Sequence, residues 1–116
     1  KNLGYKKSLR APLFDRSSDE IVKNARKIPA EQEYIIAEGN YLLLNKDSWR
    51  DLYNYWDYTV FLSVESSVLK SRLIKRWLDE KHTYSEAEAR VLKNDLVNAN
   101  IVNSNRLNAT VEFQTG

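Results

Sequence analysis

Helical and strand-like stretches alternate along these 116 residues, and that alternation constrains the fold more than any single motif. "SSDEIVKNARKI" (17–28) carries a helix signature. Ser17 or Ser18 can cap, Asp19 and Glu20 suit the positive end of the helix dipole, and Ile21, Val22, Ala25 and Ile28 recur at helical spacing before Pro29 ends the run. "EYIIAE" (33–38) reads as a short strand. "DSWRDLYNYW" (47–56) predicts a helix with Trp49, Leu52, Tyr53 and Trp56 on one stripe and Asp47 or Ser48 as its cap. "YTVFLSV" (58–64), β-branched and aromatic, is the second strand.

"SSVLKSRLIKRWLDEK" follows, with Val68, Leu69, Leu73 and Trp77 on one side and Arg72, Lys75, Arg76 and Asp79 largely on the other, the signature of an amphipathic helix. After a break at His82 and Thr83, "SEAEARVLKNDLVNANIVN" opens on a capping box, Ser85-x-x-Glu88, with Ala89, Leu92, Leu96, Ala99 and Val102 as its apolar seam. "ATVEF" is a third, weaker strand. The order helix, strand, helix, strand, helix, helix, strand predicts an α/β layer with parallel strands.

Composition narrows the function. Apolar and charged fractions of 42% and 29% are those of a folding domain rather than a disordered tail. No run approaches the roughly 18 apolar residues of a membrane span, and with no cysteine there is neither a disulfide framework nor a thiolate metal site. A cytoplasmic home is expected. The net charge of +2 is uneven: residues 1–30 hold eight Lys or Arg against three Asp or Glu. Those positives are dispersed, with only Tyr5 and Phe14 beside them, so a solvated face is preferred to a nucleic-acid surface. Trp49, Trp56 and Trp77 read as packing residues, and the lone His82 as a surface residue near the helix break.

Two constellations carry chemistry. In parallel α/β sheets ligands sit beyond the carboxyl ends of the strands, where Glu38 falls. A carboxylate there can hold magnesium directly or through water, while Gly39 lets the backbone turn away beside the ligand. A solvated strand-end glutamate is an equally good reading of this stretch alone. Arg72 and Arg76 lie four apart on one helical face and Arg90 lies on the next helix, a set suited to phosphate oxygens. Taken without Glu38, they read as solvated residues pairing with Asp79 or Glu80.

"IIAEGNYLLL", then "WDYTVFLSV", "VLKSRLIKRWL" and "EAEARVLKNDLVNANIV", resemble the carboxyl-terminal half of the P-loop small-molecule kinases: the uridine kinase, phosphoribulokinase and pantothenate kinase superfamily. "PLFDRSSDEI" resembles a segment of its nucleoside-kinase-like or fructose-transport-associated group, and the likeness covers about residues 10 to 113. The resemblance implies one partial domain over residues 1–116. Its fold would be half of a P-loop NTPase three-layer sandwich, with parallel strands and a helical lid near residues 77–95.

The resemblance further implies an ATP- and magnesium-dependent kinase acting on a hydroxyl of a nucleoside, sugar or pantothenate-like molecule. Glu38 would be the strand-end acid near magnesium, and Gly39, Asn40 and Tyr41 would lie beside the substrate hydroxyl. Asp15 and Arg16 would fall on the substrate-binding segment. Arg72 and Arg76 would face the nucleotide, Arg90 would close on the transferred phosphoryl, and Asp95 would follow the lid. Asn94, Asn98 and Asn100 stand where uridine kinases often carry further arginines.

A GxxxxGK[ST] loop is absent among the three glycines, as is the family's catalytic aspartate, so the 116 residues alone are not expected to be active. An upstream P-loop half, in the same chain or a second one, is the expected partner. Without it, strands 33–38 and 58–63 would flank an empty slot, and the chain would rearrange or exchange strands with a copy of itself. The alternative function is a non-catalytic remnant or interaction module that binds a partner through the exposed sheet edge.

Overall fold

The computed structural model describes residues 9–15 and 20–116, which divide into two compact units meeting at Ala37 and Glu38. In the first unit, strand β1 (Leu9–Asp15) runs antiparallel to strand β2 (Glu20–Ile28), from Leu9 opposite Ile28 to Asp15 opposite Glu20. The register shifts between Ala11 and Leu13, where Pro12 has no N–H to give the ladder.

Residues 20–28 are thus a strand, against the helix expected over 17–28; residues 17–19 lie outside the described residues. Ile21, Val22 and Ile28 fit helical spacing, but two of the three β-branched side chains are adjacent, and cross-strand pairing with β1 overrides the weak helical preference of the segment. The strand expected over 33–38 is also missing. Residues 34–39 have no regular structure, and Tyr34 and Ile36 are 86% and 96% exposed. A strand needs a ladder on at least one edge, and among the described residues none forms beside this one.

The second unit holds the α/β part. A 3-10 helix (Arg50–Tyr55) replaces the α-helix expected over 47–56. Neither Asp47 nor Ser48 caps it: Trp49 stands at the cap without a side-chain bond, and Ser48 takes a positive φ of 70°. The helix is pinned through its aromatics instead. The Trp56 Nε1–H donates to the Leu42 carbonyl at 3.1 Å and the Tyr53 hydroxyl to the Asn108 carbonyl at 2.8 Å.

Strand β3 (Val60–Ser63) pairs in parallel with strand β4 (Val111–Gln114), as the pattern predicted. Between them run helix α1 (Ser66–Asp79), helix α2 (Tyr84–Arg90), a π-helical turn (Val91–Asp95) and helix α3 (Leu96–Ser104). Glu65 caps α1, accepting from the Ser67 N–H and hydroxyl, and these bonds hold its carboxyl below the usual value.

The packed centre is small. Ile74 of α1 clusters with Ala87 of α2 and Val91 of the π turn, the last two fully buried, and Leu73, Trp77 and Leu96 close around them. The seam on this side is therefore Ala87 and Val91, not the expected Ala89 and Leu92; Leu92 is 49% exposed. Leu43 and Leu44 are buried where Leu44 bridges Arg106 and the Leu107 N–H meets the Leu43 carbonyl at 2.8 Å. Truncating Val91 to Ala is expected to cost about 2 kcal/mol, from lost transfer energy and the cavity left behind. Urea unfolding of the full-length protein measures it.

Candidate active site

Trp77 ends the apolar stripe of α1, half-buried against the Ile74–Ala87–Val91 cluster. Its Nε1–H donates to the Asp95 carboxylate at 2.8 Å. The Arg90 guanidinium carbon stands 4.8 Å from the ring centroid and that of Arg76 5.6 Å, both within cation–π range. Asp95 also lies 3.9 Å from Arg76. His82 meets the same indole edge-on at 5.2 Å, with its Nδ1 3.7 Å from Glu86. Two of the three predicted arginines and the predicted lid aspartate thus converge on one ring.

The helix turn that builds this site is set by local chemistry. Lys81 takes a positive φ of 68°, which turns the chain out of α1. Thr83 then caps α2: its hydroxyl accepts from the Glu86 N–H at 3.3 Å, and the Thr83 N–H donates to the Glu86 carboxylate at 2.9 Å. The capping box is Thr83-x-x-Glu86, two residues ahead of the expected Ser85-x-x-Glu88. Glu88 reaches across instead, 3.5 Å from Lys70. The bond from the Thr83 N–H, followed by that with its side chain, lowers the Glu86 pKa. Glu86, Ala89, Arg90, Lys93 and Asn94 line a shallow open depression on the outer face of this turn.

The remaining predicted residues lie elsewhere. Arg72 does not join the cluster around Trp77; its Nη1 donates to the Thr115 hydroxyl at 3.1 Å, beside the end of β4. Glu38 and Asn40 are exposed, and Asn40 stands in a turn. Tyr41 tilts against Trp49 with ring centroids 5.4 Å apart, so its ring is engaged in packing. Gly39 takes no positive φ, and a Cβ there would come within 3.3 Å of Leu42 Cγ, so the leucine side chain would have to give by a few tenths of an ångström. Asp15 faces Glu20 in the β1–β2 ladder, and Arg16 lies outside the described residues.

Trp77 is the residue that sequence reasoning missed. Its place on the apolar stripe announced packing, and the ring does pack, but nothing in the spacing showed that its N–H and open face would be shared by Asp95 and two arginines.

Replacing Thr83 with Ala removes the cap and is expected to cost about 1 kcal/mol. The Glu86 carboxyl, depressed in the folded protein, contributes stability above its unfolded pKa and loses it as pH falls through the lower folded value. In Thr83→Ala, a carbon NMR titration should find the Glu86 midpoint moved up toward the ordinary carboxylate value.

No family model matches the chain. It is 34% identical over 110 residues to "Putative uridine kinase C227.14" of Schizosaccharomyces pombe, which covers 93% of this chain and 47% of that protein. The "ATP-dependent kinase-like protein notR'" of Aspergillus versicolor is 32% identical over 99 residues, 84% of this chain and 58% of the relative. Among solved structures, the "putative fructose transport system kinase from Silicibacter sp. TM1040" superposes with a TM-score of 0.87 at 38% identity, covering 94% of this chain and 53% of that one. The chain spans about half the length of the relatives it matches. By sequence and by α/β fold, it belongs to the P-loop kinase-like proteins and corresponds to one half of them.

Proposed function

We propose that the protein carrying this chain is an ATP-dependent kinase that transfers the γ-phosphoryl group to a hydroxyl of a small molecule, of the nucleoside, sugar or pantothenate class. The observation that supports this most is the convergence of Arg76 and Arg90 on Trp77 at an exposed helix turn, in a chain whose relatives carry kinase names. Two guanidinium groups beside one ring offer planar pairs of donors to phosphate oxygens and neutralise charge spreading over the phosphoryl group in flight.

In this reading residues 77–95 form the lid. Arg90 and Arg76 hold phosphate oxygens, and Arg72, one turn back along α1, exchanges Thr115 for the nucleotide. Asp15, Arg16, Asn40 and Tyr41 serve the acceptor. The upstream half supplies the loop that cradles the phosphates.

Magnesium usually takes one or two carboxylates and fills its shell with water and phosphate oxygens. No group of three His, Cys, Asp or Glu side chains is poised for a metal among the described residues. Exposed Glu38 therefore fits a single-carboxylate role, direct or through water, rather than part of a protein cage. Bound magnesium would supply charge neutralisation on the phosphates; Glu38 contributes one negative charge and two acceptor oxygens. No helix among the described residues is long and apolar enough to cross a membrane.

A second reading, a non-catalytic module that binds a partner through its sheet edge, draws on the β3–β4 ladder, whose outer edges pair with no other strand among the described residues and whose face leaves Val60, Leu62 and Phe113 49%, 64% and 57% exposed. Glu38→Gln separates the two. In the full-length protein, with ADP release followed over a panel of hydroxyl compounds, the kinase reading expects kcat to fall about a hundredfold. Turnover that ignores the change would sink the assignment of Glu38, and wild-type protein that neither binds nor spends ATP would leave the module reading.

A further inference from the structure

We infer that Trp77 is a positioning residue that sets the arginines of the lid, and that the π turn is the backbone device which lets it do so; the catalytic part of this inference rests on the kinase reading above. The geometry starts from spacing. Arg90 and Asp95 are five residues apart, and on a regular α-helix they would point about 140° away from each other. Both nevertheless meet Trp77, one over the ring and one at its Nε1–H.

The π turn accounts for this. Between Val91 and Asp95 the helix widens, and the Leu96 N–H donates five residues back, to the Val91 carbonyl. At about 4.4 residues per turn, five residues stop roughly 50° past one full turn instead of about 140°, which brings Arg90 and Asp95 nearer to the same side. Val91 itself stays fully buried against Ile74, so the widening leaves the packing of α2 on α1 intact.

Trp77 joins the three side chains by different chemistry at different atoms. Its ring face offers the negative lobe of the quadrupole to the guanidinium of Arg90, and its N–H fixes a carboxylate oxygen of Asp95. That same oxygen, Oδ2, lies 3.9 Å from Arg76 Nη2. The two guanidinium carbons can be no farther apart than their two distances to the ring combined. Arg76, whose side chain is 53% exposed, and Arg90 thus both stand against one indole without being buried. A phosphate arriving at the turn meets guanidinium groups already gathered at one ring, so part of their side-chain freedom is lost before it binds.

Two variants test this in the full-length protein. Trp77→Phe keeps a ring and removes the N–H, and Trp77→Leu removes both. Side-chain NMR of the wild type should show Arg90 signals displaced upfield by the indole, retained in part with Phe and gone with Leu. With ATP as the probe, Trp77→Leu should raise KM for ATP about tenfold, with Phe in between and KM for the acceptor unchanged. Circular dichroism and the unfolding midpoint identify any variant that has lost its fold, and for such a variant the wild-type and Phe signals decide.

Undisplaced Arg90 signals in the wild type would overturn the inference, as would a folded Leu variant with wild-type KM for ATP. If the wild type shows no ATP turnover at all, the kinase reading fails by itself, and the Arg90 signals still decide whether Trp77 places the arginine.

Discussion

The packing of Ile74 on Ala87 and Val91 is the contact on which the second unit depends. Ala87 has no side chain beyond Cβ, so α2 can approach α1 closely, and Val91 fills the space where the helix widens. Every feature of the site follows from that approach. It brings the α1 stripe far enough under the α2 turn for Trp77 to leave one part of its ring in the cluster and present the rest to charged neighbours. A larger residue at 87 would push the helices apart and carry Arg90 away from the indole.

The charges around Trp77 are held loosely by design of their surroundings. Ion pairs this exposed contribute about 0–1 kcal/mol each, and the Arg76–Asp95 contact, at 3.9 Å with Arg76 half in solvent, is of that kind. The shorter bond, from the indole N–H to Asp95, is the one that fixes geometry. On the kinase reading, an incoming phosphate would compete only against weak partners for these cations. Arg72, tied to a single hydroxyl on Thr115, is in a similar position.

Helix α1 and the parallel pair β3 and β4 were legible in the sequence because period and composition agreed: Val68, Leu69, Leu73 and Trp77 recur at helical spacing, and "YTVFLSV" has no other good use. The second helix was legible in kind but two residues late, because Thr83 and Ser85 both satisfy the capping pattern. Only the turn at Lys81, which delivers Thr83 in an extended conformation, decides between them. Residues 20–28 went astray because a short β-branched segment takes its conformation from whatever strand lies beside it, and residues 34–39 because none does. Of the candidate site, Arg76, Arg90 and Asp95 were each singled out from the sequence, but their convergence on Trp77 could not be read there. A π turn leaves no periodic trace in apolar spacing, and it rotates every residue after it relative to those before.

The start of the parallel ladder carries one more consequence. Thr59 and Thr110, 51 positions apart, bond each other reciprocally: each backbone N–H donates to the other's hydroxyl, at 3.0 and 2.8 Å, and the two hydroxyls lie 3.2 Å apart. A four-residue parallel ladder has few bonds of its own with which to choose a register, and a slip of one place would turn its apolar face over. The threonine clasp removes that ambiguity at the first rung, just before Val60 meets Val111. Closing so long a loop is an entropic task, yet it grows only slowly with length, by about 0.6 kcal/mol per doubling. With the helices already packed, the free path between the two threonines is much shorter than their separation in the chain. Two small hydroxyls thus latch the register of a ladder that has few bonds of its own.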